Sequence, residues 1–456
     1  MTKNIFNLQF ALILFFGLFV SIAAAQEKPE LSRRGFFGAQ IAPVSDEDRA
    51  RLELKVSGGI IVKNIIPESS AEAAGVKADD VLLKIKGEKI SSVEQFVALI
   101  KNFRSGDKFE LTFVRGGREI LESIEVKPRP QETHSDFDIL YKTIALESGE
   151  RRRVIVTRPK AAGNYPALLF LGGVGCYSID NLPPDSVHRK ILYALTKEKN
   201  FVTMRVEKSG MGDSEGEPCE SPKVDFAREI EGYRAGLKAL ENYEFVKSEQ
   251  IFLFGHSMGG VIAPVLAAGN QIKGVIVAET VGKSWFEYEL ENLRRQLILG
   301  GMPHDEAERQ VRRKESCNYR LYRQNETPEQ IAKDAPDCVA LANQPPQPYT
   351  FMRQVADLNL AAEWKTTNSP VLIIYGTSDY LTTAEEHKFI ASMLNNYRPN
   401  SATYVEIPNM NHGLTIAPSP LDDLRGQRAG EPSGEFNERF LFEMERWLET
   451  VLQKKS

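Results

Sequence analysis

Short apolar runs recur along the later two thirds of the chain, at residues 168–171, 201–206, 251–254, 274–279, 370–375 and 402–407. Four to six residues of this kind suit strands, and the unbroken runs at 168–171, 251–254 and 370–375 suit strands buried on both faces. Between them lie segments of helical period. Residues 224–242 place Phe226, Ile230, Tyr233, Leu237 and Leu240 on one stripe, residues 261–268 are apolar throughout, and residues 436–452 repeat Phe436, Phe440, Met444, Trp447, Leu448 and Val451. This alternation predicts an α/β domain with a doubly wound, mainly parallel sheet. From about 282 to 367 the chain turns charged and helical, with Trp285, Phe286, Tyr288, Leu293, Leu297 and Ile298 spaced like one helix face. An insertion there predicts a helical cap that excludes water from a pocket. Its arginines Arg294, Arg295, Arg309, Arg312 and Arg313 alternate with acids, as on a solvated helix face.

The front of the chain follows other patterns. Lys3 precedes an apolar run at 10–20, and Ala23, Ala24 and Ala25 form a small-residue cleavage site, so residues 1–25 read as a signal peptide for a secreted or periplasmic protein. An uncleaved anchor is the alternative, although the run is short for a span of about 20 residues. Residues 35–127 carry GFFG at 35–38, a strand start at Gly59, the helical turn PESSAEAAGV at 67–76, a strand near 79–87 and a helix at 92–100. This succession resembles a PDZ domain of the bacterial, circularly permuted kind. The resemblance implies a groove that adds an extended peptide to a sheet edge, with backbone N–H groups at Gly35, Phe36, Phe37 and Gly38 taking its terminal carboxylate. Arg33 and Arg34 beside it would favour an anionic terminus. The expected organisation is therefore a signal peptide at 1–25, a PDZ domain at 33–128, a linker at 129–138 and an α/β domain at 139–454, with the cap at about 282–367.

Composition agrees with that division. A chain of 456 residues with 42% apolar content is too long for one core and sufficient for two. The formal net charge of −5, with signs mixed, leaves no footprint for nucleic acid. No phosphate-binding Walker loop, H-E-x-x-H or Cys/His metal spacing occurs, so neither cofactor nor metal is expected.

The chemistry concentrates at 255–259, GHSMG, between an apolar strand and an apolar helix. A serine on such a sharp turn has its hydroxyl lifted above the sheet edge, and flanking glycines relieve the crowding. Ser257 is thus the candidate nucleophile. It needs a base for its proton, and the base needs a carboxylate to fix its tautomer. Asp379 closes the strand at 370–375 and His412 follows the strand at 402–407, so all three groups can meet at one sheet edge. His387 also follows Asp379, but its segment reads as a helix that points it away. Glu207 is the next candidate for the acid.

With the order Ser, acid, His in place, residues 140–452 resemble an α/β-hydrolase fold enzyme of the serine esterase and serine peptidase type. The resemblance implies an oxyanion hole from the backbone N–H of Met258 and a second donor in the glycine-rich loop 172–175, taken here as Val174, with Gly175 next. Gly172 stands where the family usually has His. A loop at 207–216 resembles the pocket-shaping G-x-G-x-S segment of such enzymes. In this fold the loops carrying Cys176 and Cys219 leave adjacent strands, which implies one disulfide between them and a second, Cys317 to Cys338, in the cap. The expected activity is cleavage of a small-molecule ester through an acyl-enzyme, with the PDZ module for tethering or substrate capture. A peptidase or amidase on the same triad, acting on a peptide, and an inactive peptide-binding protein are the alternatives.

Overall fold

The computed structural model describes residues 30–55, 57–338 and 347–454, and the expected signal peptide at 1–25 lies outside them. Among the described residues no helix is long and apolar enough to cross a membrane.

The front sheet contains β1 (Ala39–Pro43), β2 (Ile60–Ile65), β3 (Val81–Ile85), β4 (Glu88–Lys89), β5 (Lys108–Arg115) and β6 (Arg118–Glu125). They pair antiparallel in the order β1-β2-β3-β5-β6, with β4 on β3. Alternate residues such as Ile60 and Val62, with Leu82, Phe109, Leu111 and Phe113, bury one face with Phe37 and Phe96. β1 is an edge strand. The helix Val93–Ile100 packs beside it, capped by Ser92, whose hydroxyl accepts from the N–H of Gln95.

The second sheet contains β7 (Phe137–Ala145), β8 (Arg151–Pro159), β9 (Tyr165–Leu171), β10 (Val202–Val206), β11 (Val246–His256), β12 (Gly274–Ala278), β13 (Val371–Gly376) and β14 (Ala402–Ile407). Its order is β14-β13-β12-β11-β9-β10-β8-β7, parallel from β14 to β10 and antiparallel at β8 and β7. The period of two divides each strand between two cores. In β9, Ala167, Leu169 and Leu171 face the helices Phe226–Glu241 and Met258–Ala267, while Leu168 and Phe170 face the helices Val187–Lys199 and Glu438–Gln453. The doubly wound α/β-hydrolase architecture and the preceding PDZ-like domain are as the sequence predicts.

Two segments differ in detail from expectation. Residues 349–366 were expected within the cap, yet Phe351, Met352, Val355, Leu360 and the fully buried Trp364 join the core under the sheet's helical layer. Their apolar stripe is satisfied there, leaving the helices Trp285–Leu299 and His304–Asn318 above the strand ends. The segment expected as a linker is fastened rather than free. Buried Glu132 accepts from Arg205 Nη1 and Nη2, each at 3.1 Å, and from the Asn181 N–H at 2.8 Å, because a buried carboxylate requires charged or polar donors around it.

Candidate active site

Ser257 turns the chain from β11 into the helix Met258–Ala267 with φ 56° and ψ −120°, a strained left-handed geometry for a residue with a side chain. Space around it demands glycine. A Cβ on Gly255 would fall 2.3 Å from the Gly259 carbonyl oxygen, and one on Gly259 would fall 2.0 Å from that of Leu171. The turn is pinned by the Ser257 N–H, which donates to Ala278 O at 3.0 Å, and by Thr280 Oγ1, which donates to Ser257 O at 2.9 Å.

The structure brings the three predicted residues together. His412 Nε2 lies 3.0 Å from Ser257 Oγ, and His412 Nδ1 lies 2.9 Å from Asp379 Oδ2. A carboxylate only accepts, so Nδ1 carries the proton and Nε2 is left to accept from the serine hydroxyl. Asp379 is fully buried at the side chain and takes further bonds from the Leu381 N–H, 2.6 Å from Oδ1, and from Thr382 Oγ1. Burial alone would raise its pKa, but the His412 charge and these donors hold it well below the usual carboxylate range. Burial likewise acts to lower the His412 pKa, and Asp379 outweighs it, raising the imidazole above its ordinary value.

Other histidines position this one. His256 Nε2 lies 2.8 Å from the His412 carbonyl oxygen and donates to it, leaving His256 Nδ1 to accept from His188 Nε2 at 3.0 Å. Burial drives the pKa of His188 down to about 4 and that of His256 well below the ordinary value, so both rings stay neutral. His387 lies on the expected helix, Ala384–Tyr397, but its ring is buried beside the chain that leaves β12. It accepts the Thr280 N–H on Nε2 at 3.0 Å and donates from Nδ1 to Thr383 O at 2.7 Å, and both ring nitrogens are thereby engaged away from Ser257.

A cavity of 310 Å³ opens onto Ser257 and His412, walled by Val174, Met258, Trp285, Tyr288 and Leu293. The glycine-rich loop crosses the serine closely, since a Cβ on Gly173 would lie 3.8 Å from Ser257 Oγ. Lys208, which the sequence did not mark, holds that loop by donating from Nζ to Gly173 O at 2.7 Å, and it pairs with buried Glu229 at 3.2 Å. Arg295, expected on a solvated face, instead donates to Tyr380 O at 3.0 Å and to Leu381 O, clamping the loop that carries Asp379. Arg294, Arg309, Arg312 and Arg313 are paired with acids on the cap surface. Glu207 is buried beside Ser178, which donates to it, and burial pushes its pKa up to about 7.

Glu279, also unmarked in sequence, lines the cavity at the end of β12. Glu279, Asp379 and His412 each offer one ligand atom within 4.8 Å of the others, the grouping with metal-like spacing among the described residues. The hydrogen bonds of Asp379 and His412 already use these atoms for one another and for Ser257.

The cysteines pair as Cys176–Cys219 and Cys317–Cys338. At the front domain, the expectation of open donors along the GFFG loop fails in its first half. The Gly35 N–H donates to Phe103 O and the Phe36 N–H to Lys127 O, because the loop entry is itself woven into the domain; Phe37 and Gly38 remain the candidate donors. A 250 Å³ cavity beside them is lined by Phe37, Val97, Ile100, Phe103 and Val126. Arg33 and Arg34 serve the module junction instead of an incoming terminus. Arg33 Nη1 pairs with Asp213 at 2.7 Å and Asp180 at 2.8 Å, and Arg34 donates to the carbonyls of Gly210, Gly212 and Lys101.

Comparison with known proteins matches residues 168–425 to the alpha/beta hydrolase family and residues 35–126 to the PDZ domain. A probable periplasmic serine endoprotease DegP-like protein of Bartonella henselae is 35% identical over 97 residues, 21% of this chain and 19% of that protein. The periplasmic serine endoprotease DegP of Escherichia coli is 26% identical over 131 residues, 28% of either chain. The chain thus spans less than a third of the length of these curated relatives. Esterase EstD of Thermotoga maritima is 21% identical over 418 residues, covering 85% of this chain and 94% of that one. Among solved structures, the esterase Pf2001 of Pyrococcus furiosus aligns with a TM-score of 0.43 at 13% identity, covering 71% of this chain and 96% of that one.

Proposed function

The chain belongs to the alpha/beta hydrolase family, and from that premise we propose that it is a carboxylesterase-like hydrolase that cleaves carboxylic esters through an acyl-enzyme on Ser257. The observation that carries the reading is the pair of contacts at His412, 3.0 Å to Ser257 Oγ and 2.9 Å to Asp379 Oδ2. Ser257 Oγ attacks the ester carbonyl carbon as its proton passes to His412 Nε2. Asp379 stabilises the imidazolium and keeps its orientation. Charge on the carbonyl oxygen falls to the N–H groups of Met258 and Val174, a lost donor costing roughly 2.7–4 kcal/mol of barrier. Collapse of the adduct breaks the C–O bond, and His412 gives its proton to the departing alcohol. Water, activated by the same imidazole, then releases the acid.

The cavity wall presents apolar surface from Val174, Met258, Trp285 and Leu293 beside polar groups of Asn292, Gln296 and Lys314, which favours an ester with one apolar portion and one that can take hydrogen bonds. The helical segment 285–323 acts as the cap. The edge strand β1 and the groove beside the helix Val93–Ile100 would accept an extended peptide end. Export to an oxidising compartment is supported by two disulfides and by relatives named periplasmic. The test is labelling by a fluorophosphonate, which Ser257→Ala should abolish, followed by turnover of p-nitrophenyl esters against aminoacyl amides. Faster amide turnover would shift the reading to a peptidase, and an unlabelled native protein would end it.

A further inference from the structure

Two buried carboxyl groups lie side by side at the end of the sheet, and only one has a full set of donors. Asp379 takes the His412 Nδ1–H, the Leu381 N–H and the Thr382 hydroxyl. Glu279 is 0% exposed; its carboxyl has the Gly376 N–H beside it and Thr382 Oγ1 at a long 3.4 Å, while its Oε1 has no hydrogen-bond partner among the described residues. Its backbone is held at φ 49°, with its N–H on Ile374 O at 3.3 Å. A non-glycine residue in that region is strained, and the geometry directs the side chain toward Asp379, within 4.8 Å. Two like charges at this separation in a buried site cannot both be maintained. The one proton between them belongs on the carboxyl with the fewer and longer contacts and an unpartnered oxygen, Glu279.

We infer that Glu279 is held as the neutral acid and donates a hydrogen bond to Asp379, which makes it a positioning residue for the reaction. This rests on the reading of Asp379 and His412 as acid and base. The donated bond draws charge from Asp379, limits how strongly that carboxylate favours the imidazolium, and so keeps His412 from becoming so basic that it is protonated at working pH. Burial first, and then the Asp379 charge, raise the Glu279 pKa well above its ordinary value, in keeping with the geometry. The groups facing this pair are His412 on the loop after β14, Tyr404 on β14, Tyr375 on β13, Tyr380 on the loop after it, His256 on β11, His387 on the helix Ala384–Tyr397, Tyr288 and Arg295 on the cap helix, and Asp423 behind His412. Of these, only Arg295 is a standing cation, and it is committed to the carbonyls of Tyr380 and Leu381.

The experiment follows the His412 titration directly by NMR of histidine-labelled protein, assigned by loss of the signal in His412→Ala, alongside the pH profile of kcat/KM on a p-nitrophenyl ester. NMR reads the imidazole whether or not turnover occurs, so failure of the esterase reading, seen as an unlabelled Ser257, is distinguishable from failure of this one. Glu279→Gln, which keeps a neutral donor, should leave the midpoint within about 0.3 pH unit and kcat/KM within about threefold. Glu279→Ala should raise the midpoint by at least about half a unit. Should that variant fold poorly, Glu279→Met, with the bulk but no donor, takes its place and should shift the midpoint the same way. A fall of about a unit in Glu279→Gln would show that a negative charge had been removed and would overturn the inference. So would a midpoint unmoved in both Gln and donor-less variants.

Discussion

Lys208 Nζ donates to the carbonyl oxygen of Gly173 over 2.7 Å, so a buried cation anchors the glycine-rich loop beside Ser257. Lys208→Met should let that loop drift and lower kcat by roughly 10- to 100-fold, less than the roughly 100- to 1000-fold of a donor lost outright. It also strands Glu229, its ion-pair partner at 3.2 Å, and an uncompensated buried charge costs about 3–5 kcal/mol. The double variant Lys208→Met with Glu229→Gln should regain most of the stability but not the rate. Steady-state kinetics beside thermal melts separate the two effects, and a native kcat in the double variant would free the loop from this anchor.

Asp379→Asn should lower kcat by about four orders of magnitude while leaving the fold in place, because the amide selects the wrong imidazole tautomer. Circular dichroism with single-turnover kinetics checks this. Near-native turnover would assign the acid's role to another group. Glu207, bound to Ser178, is an unpromising replacement, whereas Glu279 already lies beside Asp379.

Only neutral imidazole accepts the serine proton, so kcat/KM should rise with pH. Since Asp379 outweighs burial and raises the His412 pKa, the midpoint should lie above about 6.5, the ordinary histidine value. The same shift adds stability below about pH 6.5 that is lost as pH climbs through the folded-state value. Activity and this contribution therefore run in opposite directions. A pH–rate profile flat from about 5 to 8 would contradict the assignment of the base.

His188, His256 and His387 have depressed pKa values through burial, the first and last to about 4. A histidine kept neutral in the fold is protonated first in the unfolded chain as pH falls. Stability should therefore drop from about pH 6.5 toward 4, each ring contributing up to about 1.4 kcal/mol per pH unit. Melting temperatures across that range test it, and replacing His188 by Gln should flatten the slope by about one ring's share.

Asp213 accepts from Arg33 Nη1 at 2.7 Å, the Arg34 N–H at 2.8 Å and Arg153 Nε at 3.0 Å, with almost no exposed surface. Asp213→Ala should cost about 3–5 kcal/mol by removing the buried carboxylate that Arg33 and Arg153 share. A melting temperature equal to that of the native protein would discount the junction as a source of stability.

The parts of the molecule most legible in sequence were those with a local signature. Ser257 announces itself because the strained elbow needs Gly255 and Gly259 in fixed places, Asp379 because it follows the uninterrupted apolar run 370–375, and His412 because it follows the strand pattern at 402–407. Glu279 ends a strand of the same kind, yet nothing local distinguishes it; its neighbour Asp379 is supplied by a different strand. Lys208, Arg295 and Glu132 were obscure for the same reason, since their partners arrive through packing. Arg33 and Arg34 read naturally as a groove rim until Asp180 and Asp213 are placed opposite them. Residues 349–366 blended into a charged insertion because their apolar positions, including Trp364, are interspersed with polar ones that face outward.

The fastening of Arg33, Arg34 and Arg153 around Asp213 bears on how the chain can be dissected. Residue Leu31 takes part as well, its carbonyl accepting from Arg153 Nη2 at 2.7 Å. Trimming the chain to its catalytic portion would bare an acid and a guanidinium evolved for enclosure, and the fragment's behaviour would report that injury together with the loss of the PDZ domain. Point changes in the groove, such as at Val97, therefore offer the cleaner control for what the front module contributes.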